Sequence, residues 1–422
     1  MTAANLLRTS SHALLAALLI PIAGVKQSTA GEMKIGETIE ITRSHSWCWF
    51  PTIHRFRSGE LMVGMVLCPD QLNAESTNSG YCISKDGGRT WSPRHTVGQG
   101  ASHDGAWSEV PDAEDSLWQF GSYPELLGDS TRLRGTLTKF FRGGRASSQD
   151  RDVPITLREP SREAQTYLHA YGKEKVPDTR ITGQFGGRVW GNIIRGADGE
   201  LLCTAYFTTL QDAKRSSAAA HAPKDEEIKP DAEAPKGFNR IVLLRSDDGG
   251  KSWAERGVIA AVPEGARLPW IGSEGFNEGT LSLLPDRRLY AVYRSGGLDG
   301  MIGHGWSSDG GKTWTAPASI GFHGVAPRLR RLSSGALALA TGRPGPVELR
   351  LNSDGHGAKW SKPVTIFTGK STRYCDTVEV EPGRLLVVYD SVPYGWHPIP
   401  FSDRNARNRI LGTFVQIGEG AR

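Results

Sequence analysis

Long apolar runs are scarce in this chain. The stretch from Ala13 to Val25 is interrupted by Pro21 and falls short of the roughly 18–20 residues a bilayer-spanning helix needs. No membrane span is therefore expected in a mature chain. Cysteine is sparse too: Cys48, Cys68, Cys82, Cys203 and Cys375 make an odd count of five. No CxxC pair and no histidine cluster has the spacing of a zinc site, so no metal is expected. Cys48, Cys68 and Cys82 fall in one repeat and leave a single disulfide open, while buried free thiols suit most of the five. Neither sign of charge dominates, with 50 basic against 45 acidic residues and a net charge of +5. That balance argues against a nucleic-acid partner and licenses only a mild attraction to acidic ligands. Long amphipathic periodicity is also absent, which disfavours a helical fold.

Turn residues are abundant instead. The 422 residues include 51 glycines, 24 prolines and 12 tryptophans, the make-up of an all-β protein with many hairpins. One hairpin signature occurs three times: Ser84-Lys85-Asp86-Gly87-Gly88-Arg89-Thr90-Trp91, then Ser246 to Trp253, then Ser307 to Trp314. A degraded copy runs from Asn352 through Asp354 and Gly357 to Trp360. In each copy the Asp carboxylate can accept backbone N–H bonds within its own turn, and the glycines take positive φ. The Trp plugs the turn onto the neighbouring sheet. Repetition of such a unit predicts a repeat architecture.

Five segments share the pattern of an apolar run, a turn and a Leu-rich run. They are 51–64, 190–203, 278–294, 327–339 and 376–389. Their turn positions at 287, 335 and 383 advance by 48 residues twice, the size of a four-stranded propeller blade. Between turns 59 and 199 there is room for one more blade, assigned to Leu117–Arg142. The expectation is a six-bladed β-propeller of four-stranded antiparallel blades, spanning 31–422. Its opening strand, Lys34–Thr42, should pair with Ile410–Ile417 and close the ring. Residues 211–237, rich in Ala, Lys, Asp, Glu and Pro, read as a mobile insertion. The polar stretch 143–184 reads as an elaborated loop. Arg8, the apolar stretch and the small residues Ser28-Thr29-Ala30 together predict a cleaved signal peptide over 1–30, and so a secreted or periplasmic protein.

Two apparent phosphate loops are decoys. A Walker motif needs glycine five residues before the second glycine of Gly249-Gly250-Lys251-Ser252 and of Gly310-Gly311-Lys312-Thr313. Arg245 and Trp306 stand there. The repeated aspartates Asp86, Asp248 and Asp309 are assigned to turn structure rather than to catalysis or calcium.

The hairpin signature is the Asp-box, and with the blade count it makes the chain resemble the sialidase (neuraminidase) superfamily over essentially its whole mature length. Phe276-Asn277-Glu278 followed by Arg294 resembles the stretch that supplies that family's catalytic glutamate and a substrate-binding arginine. Tyr374-Cys375-Asp376 resembles the segment carrying its tyrosine nucleophile. The resemblance implies a tyrosine because a carboxylate beside the anomeric carbon would repel an anionic nucleophile, and Glu278 would be its base. Arg343, with Arg328 and Arg350 as competitors, would be a second carboxylate-binding arginine. Asp70, with Glu75 nearby, would be the general acid/base. The family's first-blade Arg-Ile-Pro is replaced by Trp49-Phe50-Pro51. Loss of that arginine removes on the order of 1.5–3 kcal/mol of charged hydrogen bonding, and Trp49, with His45 and Trp47 beside it, suits either stacking on a sugar, as a substrate-binding residue, or packing within the blade. Tyr394, Trp396 and His397 form a further aromatic cluster near a rim.

What the resemblance implies is a secreted exo-glycoside hydrolase acting on a terminal acidic sugar of glycans, without a cofactor. Two alternatives stand beside it. One is a hydrolase or lyase for another sugar, with His45, His103 or Tyr394 in acid/base roles. The other is a non-catalytic glycan-binding propeller. Oligomeric state has no signature in the sequence.

Overall fold

Strands of six or seven apolar-rich residues, punctuated by glycine turns, can bury both faces only by stacking sheet against sheet. The computed structural model does this. It describes residues 32–69, 79–97, 107–109, 116–120, 125–126, 132–141, 149–158, 188–207, 240–261, 268–272, 275–296 and 300–418. Every regular element among them is a β-strand, numbered here in chain order. Strand β1 (Met33–Ser44) belongs to the last sheet. The first blade is β2 (Trp49–Arg55), β3 (Leu61–Val66), β4 (Ser79–Ser84) and β5 (His95–Val97), paired in that order. Three later blades repeat this meander. They are β11–β14 (Arg188–Arg195, Leu201–Phe207, Arg240–Ser246, Trp253–Ala261), β15–β18 (Asn277–Leu283, Leu289–Arg294, Met301–Ser307, Ala318–His323) and β19–β22 (Val325–Arg331, Leu337–Gly342, Val347–Asn352, Val364–Phe367).

The last sheet has the order β1–β25–β24–β23, with β23 at Cys375–Glu381, β24 at Arg384–Ser391 and β25 at Asn408–Ile417. The antiparallel pairing of β1 with β25 runs from Met33 opposite Ile417 to Ser44 opposite Asn408. The ends of the ring are thus stitched together as expected.

The expected count of six is corrected to five four-stranded blades. The segment assigned to a separate blade forms β6 (Trp107–Glu109), β7 (Ser116–Phe120), β8 (Glu125–Leu126), β9 (Arg132–Phe141) and β10 (Gln149–Thr156). These join β11–β14 in one nine-stranded sheet. The reason lies in backbone hydrogen bonding: β6 pairs in parallel with β11 at Trp107 and Asn192, and β10 with β14 at Ile155 and Trp253. Repeat spacing does not encode such sheet-to-sheet bonds.

The core lies between neighbouring sheets. Tyr290, Val292 and Ile302 meet Leu329, Leu337 and Leu339 between the β15 and β19 blades. Leu349 and Leu351 meet Leu385 and Val387 in the next gap, and Leu386 and Val388 meet Val63 and Cys82 in the one after. The Asp-box turns lock these gaps. Asp86 accepts bonds from Arg89 N, Thr90 N, Thr90 Oγ1 and Ser84 Oγ at 2.6–3.0 Å, and Asp248 and Asp309 repeat the set. At the end of each turn the chain meets the preceding blade closely. A Cβ on Gly311 would sit 2.0 Å from Leu243, and one on Gly88 2.7 Å from Leu386. In the degraded copy Asn352 replaces the serine, accepting from Gly357 N at 2.9 Å. All five cysteines are buried free thiols.

Candidate active site

Four innermost strands share one irregularity just inside their first residue. Pairing slips between Trp49 and Thr52, Trp190 and Ile194, Asn277 and Thr280, and Val325 and Arg328. Within each slip one residue has positive φ: Phe50 (51°), Gly191 (86°), Glu278 (45°) and Ala326 (43°). A bulge re-aims the residue that occupies it. Of the four equivalent residues only Glu278 carries a charge. Positive φ in a non-glycine residue is strained and persists where surrounding contacts hold it.

Those contacts are specific. Glu278 is buried at 4% exposure. Its Oε2 accepts from Ala326 N at 2.7 Å, across the gap to β19. Its Oε1 accepts from the Tyr374 hydroxyl at 2.5 Å and from Arg294 Nη1 at 3.0 Å. Arg294 Nη1 also lies 3.4 Å from the Tyr374 oxygen, and its Nε donates to Gly296 O at 2.5 Å. Two residues far apart in sequence, Arg294 and Tyr374, therefore converge on one Glu278 oxygen. Burial first, and then the Glu278 charge, push the Tyr374 phenol well above its ordinary range, while Arg294 and Arg343 pull it down. A phenol held beside a carboxylate oxygen has a defined acceptor for its proton if it attacks a carbon.

Asp390 supports this group from below. Fully buried at the end of β24, it accepts from Phe50 N at 3.0 Å, Ser371 Oγ at 2.8 Å, Thr372 N at 2.8 Å and the Thr372 hydroxyl. It ties the first-blade bulge to the turn that carries Tyr374. Burial raises its carboxyl above the usual range against the lowering effect of these bonds.

Residues 191–388 match the family model described as "BNR repeat-like domain". The match spans just under half of the chain, and the resemblance to BNR-repeat, Asp-box propellers expected from the sequence is borne out by it. No curated protein matches the chain. Among solved structures it resembles a protein of unknown function from Dyadobacter fermentans, at 21% identity and TM-score 0.62, covering 91% of this chain and 99% of that one. It also resembles the α-L-arabinofuranosidase Arb93A of Fusarium graminearum, at 14% identity and TM-score 0.56 over 90% and 98% of the two chains. The NanB sialidase of Streptococcus pneumoniae is similar at 12% identity and TM-score 0.53, over 92% of this chain and 71% of that one. At such identities the likeness concerns the fold.

Around the Glu278–Arg294–Tyr374 group the other expected residues fare differently. Arg343 lies beside it, its guanidinium 5.4 Å from the Tyr374 ring centre and 5.3 Å from that of Trp396, with Nη2 donating to Thr372 O. Arg328 is also there, buried at 4% and stacked 5.1 Å over Trp190, whose ring is 6.2 Å from Tyr374. Its Nε is buried without a hydrogen-bond partner among the described residues. Arg350 is elsewhere, over Phe322 and paired with Glu348.

The expectation for Trp49 needs correction. It is 1% exposed and its Nε1 donates to Cys68 O, so it is packed among Trp47, Phe50 and Trp396 rather than offered to a sugar. Phe50 is the residue next to Tyr374, ring centres 4.9 Å apart. His45 is engaged with Asp403 O, and Tyr394 with the Asp403 carboxylate. Asp70, Glu75, His103 and the segments 1–30, 143–148, 159–184 and 211–237 lie outside the described residues. Sequence reading missed Phe50, Trp190 and the anchoring role of Asp390. The signal for the first two was the equivalent position of Trp49-Phe50, Trp190-Gly191 and Asn277-Glu278 at the start of each inner strand.

Proposed function

We propose that the protein is an exported exo-glycoside hydrolase that removes a terminal acidic sugar from glycans, of sialidase type, with Tyr374 as nucleophile. The carrying observation is the 2.5 Å bond from the Tyr374 hydroxyl to Glu278, with Arg294 on the same oxygen. As the Tyr374 oxygen bonds to the anomeric carbon, its proton passes to Glu278 and the glycosidic bond breaks. The leaving oxygen takes a proton from a general acid, the role proposed for Asp70. Water then displaces tyrosine from the sugar, giving its proton to the now deprotonated general acid, and Glu278 returns the first proton to Tyr374. Arg294 stabilises charge along this path. Arg343 and Arg328 supply cations for an acidic substituent. Similarity to a sialidase and to an arabinofuranosidase supports glycoside hydrolysis.

A second reading, hydrolysis of a different sugar, rests on Trp49 standing where the sialidase resemblance calls for an arginine, with the apolar Phe50 beside it packed against Tyr374. The test is turnover of fluorogenic α-sialoside and α-L-arabinofuranoside by the purified protein and its Tyr374→Phe variant. Sialoside turnover, reduced at least about 10²-fold in the variant, is the expected result. Turnover of the arabinoside alone selects the second reading. Turnover of neither overturns both of these sugar assignments.

A further inference from the structure

The segment between β24 and β25, residues 392–407, places two aromatic side chains outside the protein. Trp396 is 45% exposed and Phe401 94% exposed. The segment is nonetheless held at several points. Val392 N donates to Lys370 O, Tyr394 OH to Asp403 Oδ2, and Asp403 Oδ1 accepts from Ala406 N. Ile399 is buried beneath it, and His45 both bonds Asp403 O and stacks on Phe401, ring centres 6.4 Å apart. Trp396 is gripped from below by Trp49 and Phe50, each 5.5 Å away, and by the Arg343 guanidinium. An exposed tryptophan held so firmly is a preset surface, and its ordering cost is met before any ligand arrives.

We infer that Trp396 and Phe401 form a subsite for the leaving-group part of a glycan, the neutral sugar ring next to the bond that is cut. The inference rests on the exo-hydrolase reading for the direction of the ligand. Exposure increases from Glu278 at 4% through Trp396 at 45% to Phe401 at 94%. A terminal acidic sugar fills the deep end, where Glu278, Tyr374 and the arginines lie, so the remainder of the glycan leaves past the two aromatic rings. The C–H face of a neutral sugar matches an aromatic face, and the two large apolar side chains that the segment exposes most, Trp396 and Phe401, offer such faces. The link between the two subsites is Arg343, which touches both the Tyr374 and the Trp396 rings.

The test compares a sialylated lactose with the methyl glycoside of the same acidic sugar, which has no leaving-group ring. In Trp396→Ala the KM for the trisaccharide should rise about tenfold more than the KM for the methyl glycoside, in line with the strength of aromatic stacking. Phe401→Ala, at a site too exposed to affect folding, should change the same ratio in the same direction. Equal changes on both substrates in both variants overturn the subsite. Binding of lactose alone, read by quenching of tryptophan fluorescence, keeps this separate from the hydrolase reading. Lactose quenching that disappears in Trp396→Ala upholds the subsite even if no acidic sugar is turned over, and that second failure counts against the hydrolase reading. Absence of quenching in the unaltered protein overturns the subsite whatever the turnover.

Discussion

Three donors from three blades or turns meet the Glu278 carboxylate: Tyr374 OH, Arg294 Nη1 and Ala326 N. A glutamine has one acceptor oxygen, so in Glu278→Gln at least one of these donors faces an NH2 group. The expected result is loss of kcat by about 10²–10⁴-fold, the usual worth of a positioned base, with about 1–3 kcal/mol of stability lost to the unsatisfied buried donor. Steady-state kinetics and denaturant unfolding of the same variant check both parts, and an unchanged kcat would remove Glu278 from the chemistry. Glu278, Arg294 and Tyr374 were legible as short motifs with a family resemblance, whereas Ala326, which contributes only its backbone N–H, has no side-chain signal to read. Trp49 was misread for a related reason. A tryptophan before a strand has the same sequence signature whether it lies against solvent or under Trp396, and only the segment 392–407, distant in sequence, decides between them. Arg343 was preferred from sequence over Arg328 and Arg350; the stacking of Arg328 on Trp190, beside Tyr374, places it next to the same group.

At the scale of the element, the bulge near the start of four of the five inner strands is the device that re-aims a residue, and no residue-type pattern announces it. Phe, Gly, Glu and Ala occupy the four equivalent positions. Gly191 is needed where it stands, with φ of +86° and space for a Cβ already taken by Gly279 O at 2.3 Å. Gly279 follows Glu278, so Gly191→Ala should both cost about 2–4 kcal/mol and lower kcat by displacing Glu278. An unfolding midpoint equal to that of the unaltered protein would contradict this. The Asp-box turns were legible in full, because their hydrogen bonds are local. Burial raises the carboxyls of Asp86 and Asp248, but hydrogen bonds from Thr90, Ser84 and Arg89, and from Ser252, Ser246 and Lys251, outweigh it and bring each to about 2. Unfolded aspartate titrates near 3.9. The unfolded chain thus binds protons first, and this contribution is complete above about pH 4 and fades as pH falls toward 2. Thermal midpoints of the protein and of Asp248→Asn, followed from pH 5 to pH 2, should converge as the pH drops.

For the whole molecule, the repeat spacing carried the ring and its closure, but not how its sheets join. Parallel pairing of β6 with β11 and of β10 with β14 merges two units into one nine-stranded sheet, and such bonds depend on the approach of neighbouring sheets rather than on any periodicity within them. Closure has a testable consequence. Strand β25 lies between β1 and β24, and β1 contributes Ile41 to the core shared by the first and last blades. A chain beginning at His45 would lose every β1 pairing and leave the backbone of β25, Asn408–Ile417, as an open edge beside that core. Open edges destabilise and recruit other chains. This truncation should lower the thermal midpoint by about 10 °C or more, a loss of several kcal/mol for a domain of this size, and should self-associate in sedimentation experiments. A chain beginning at Glu32 keeps β1 whole and serves as the reference. If the two truncated chains melt together and remain equally monodisperse, the ring does not depend on β1, and its closure must rest on the packing of β23 and β24 against the first blade.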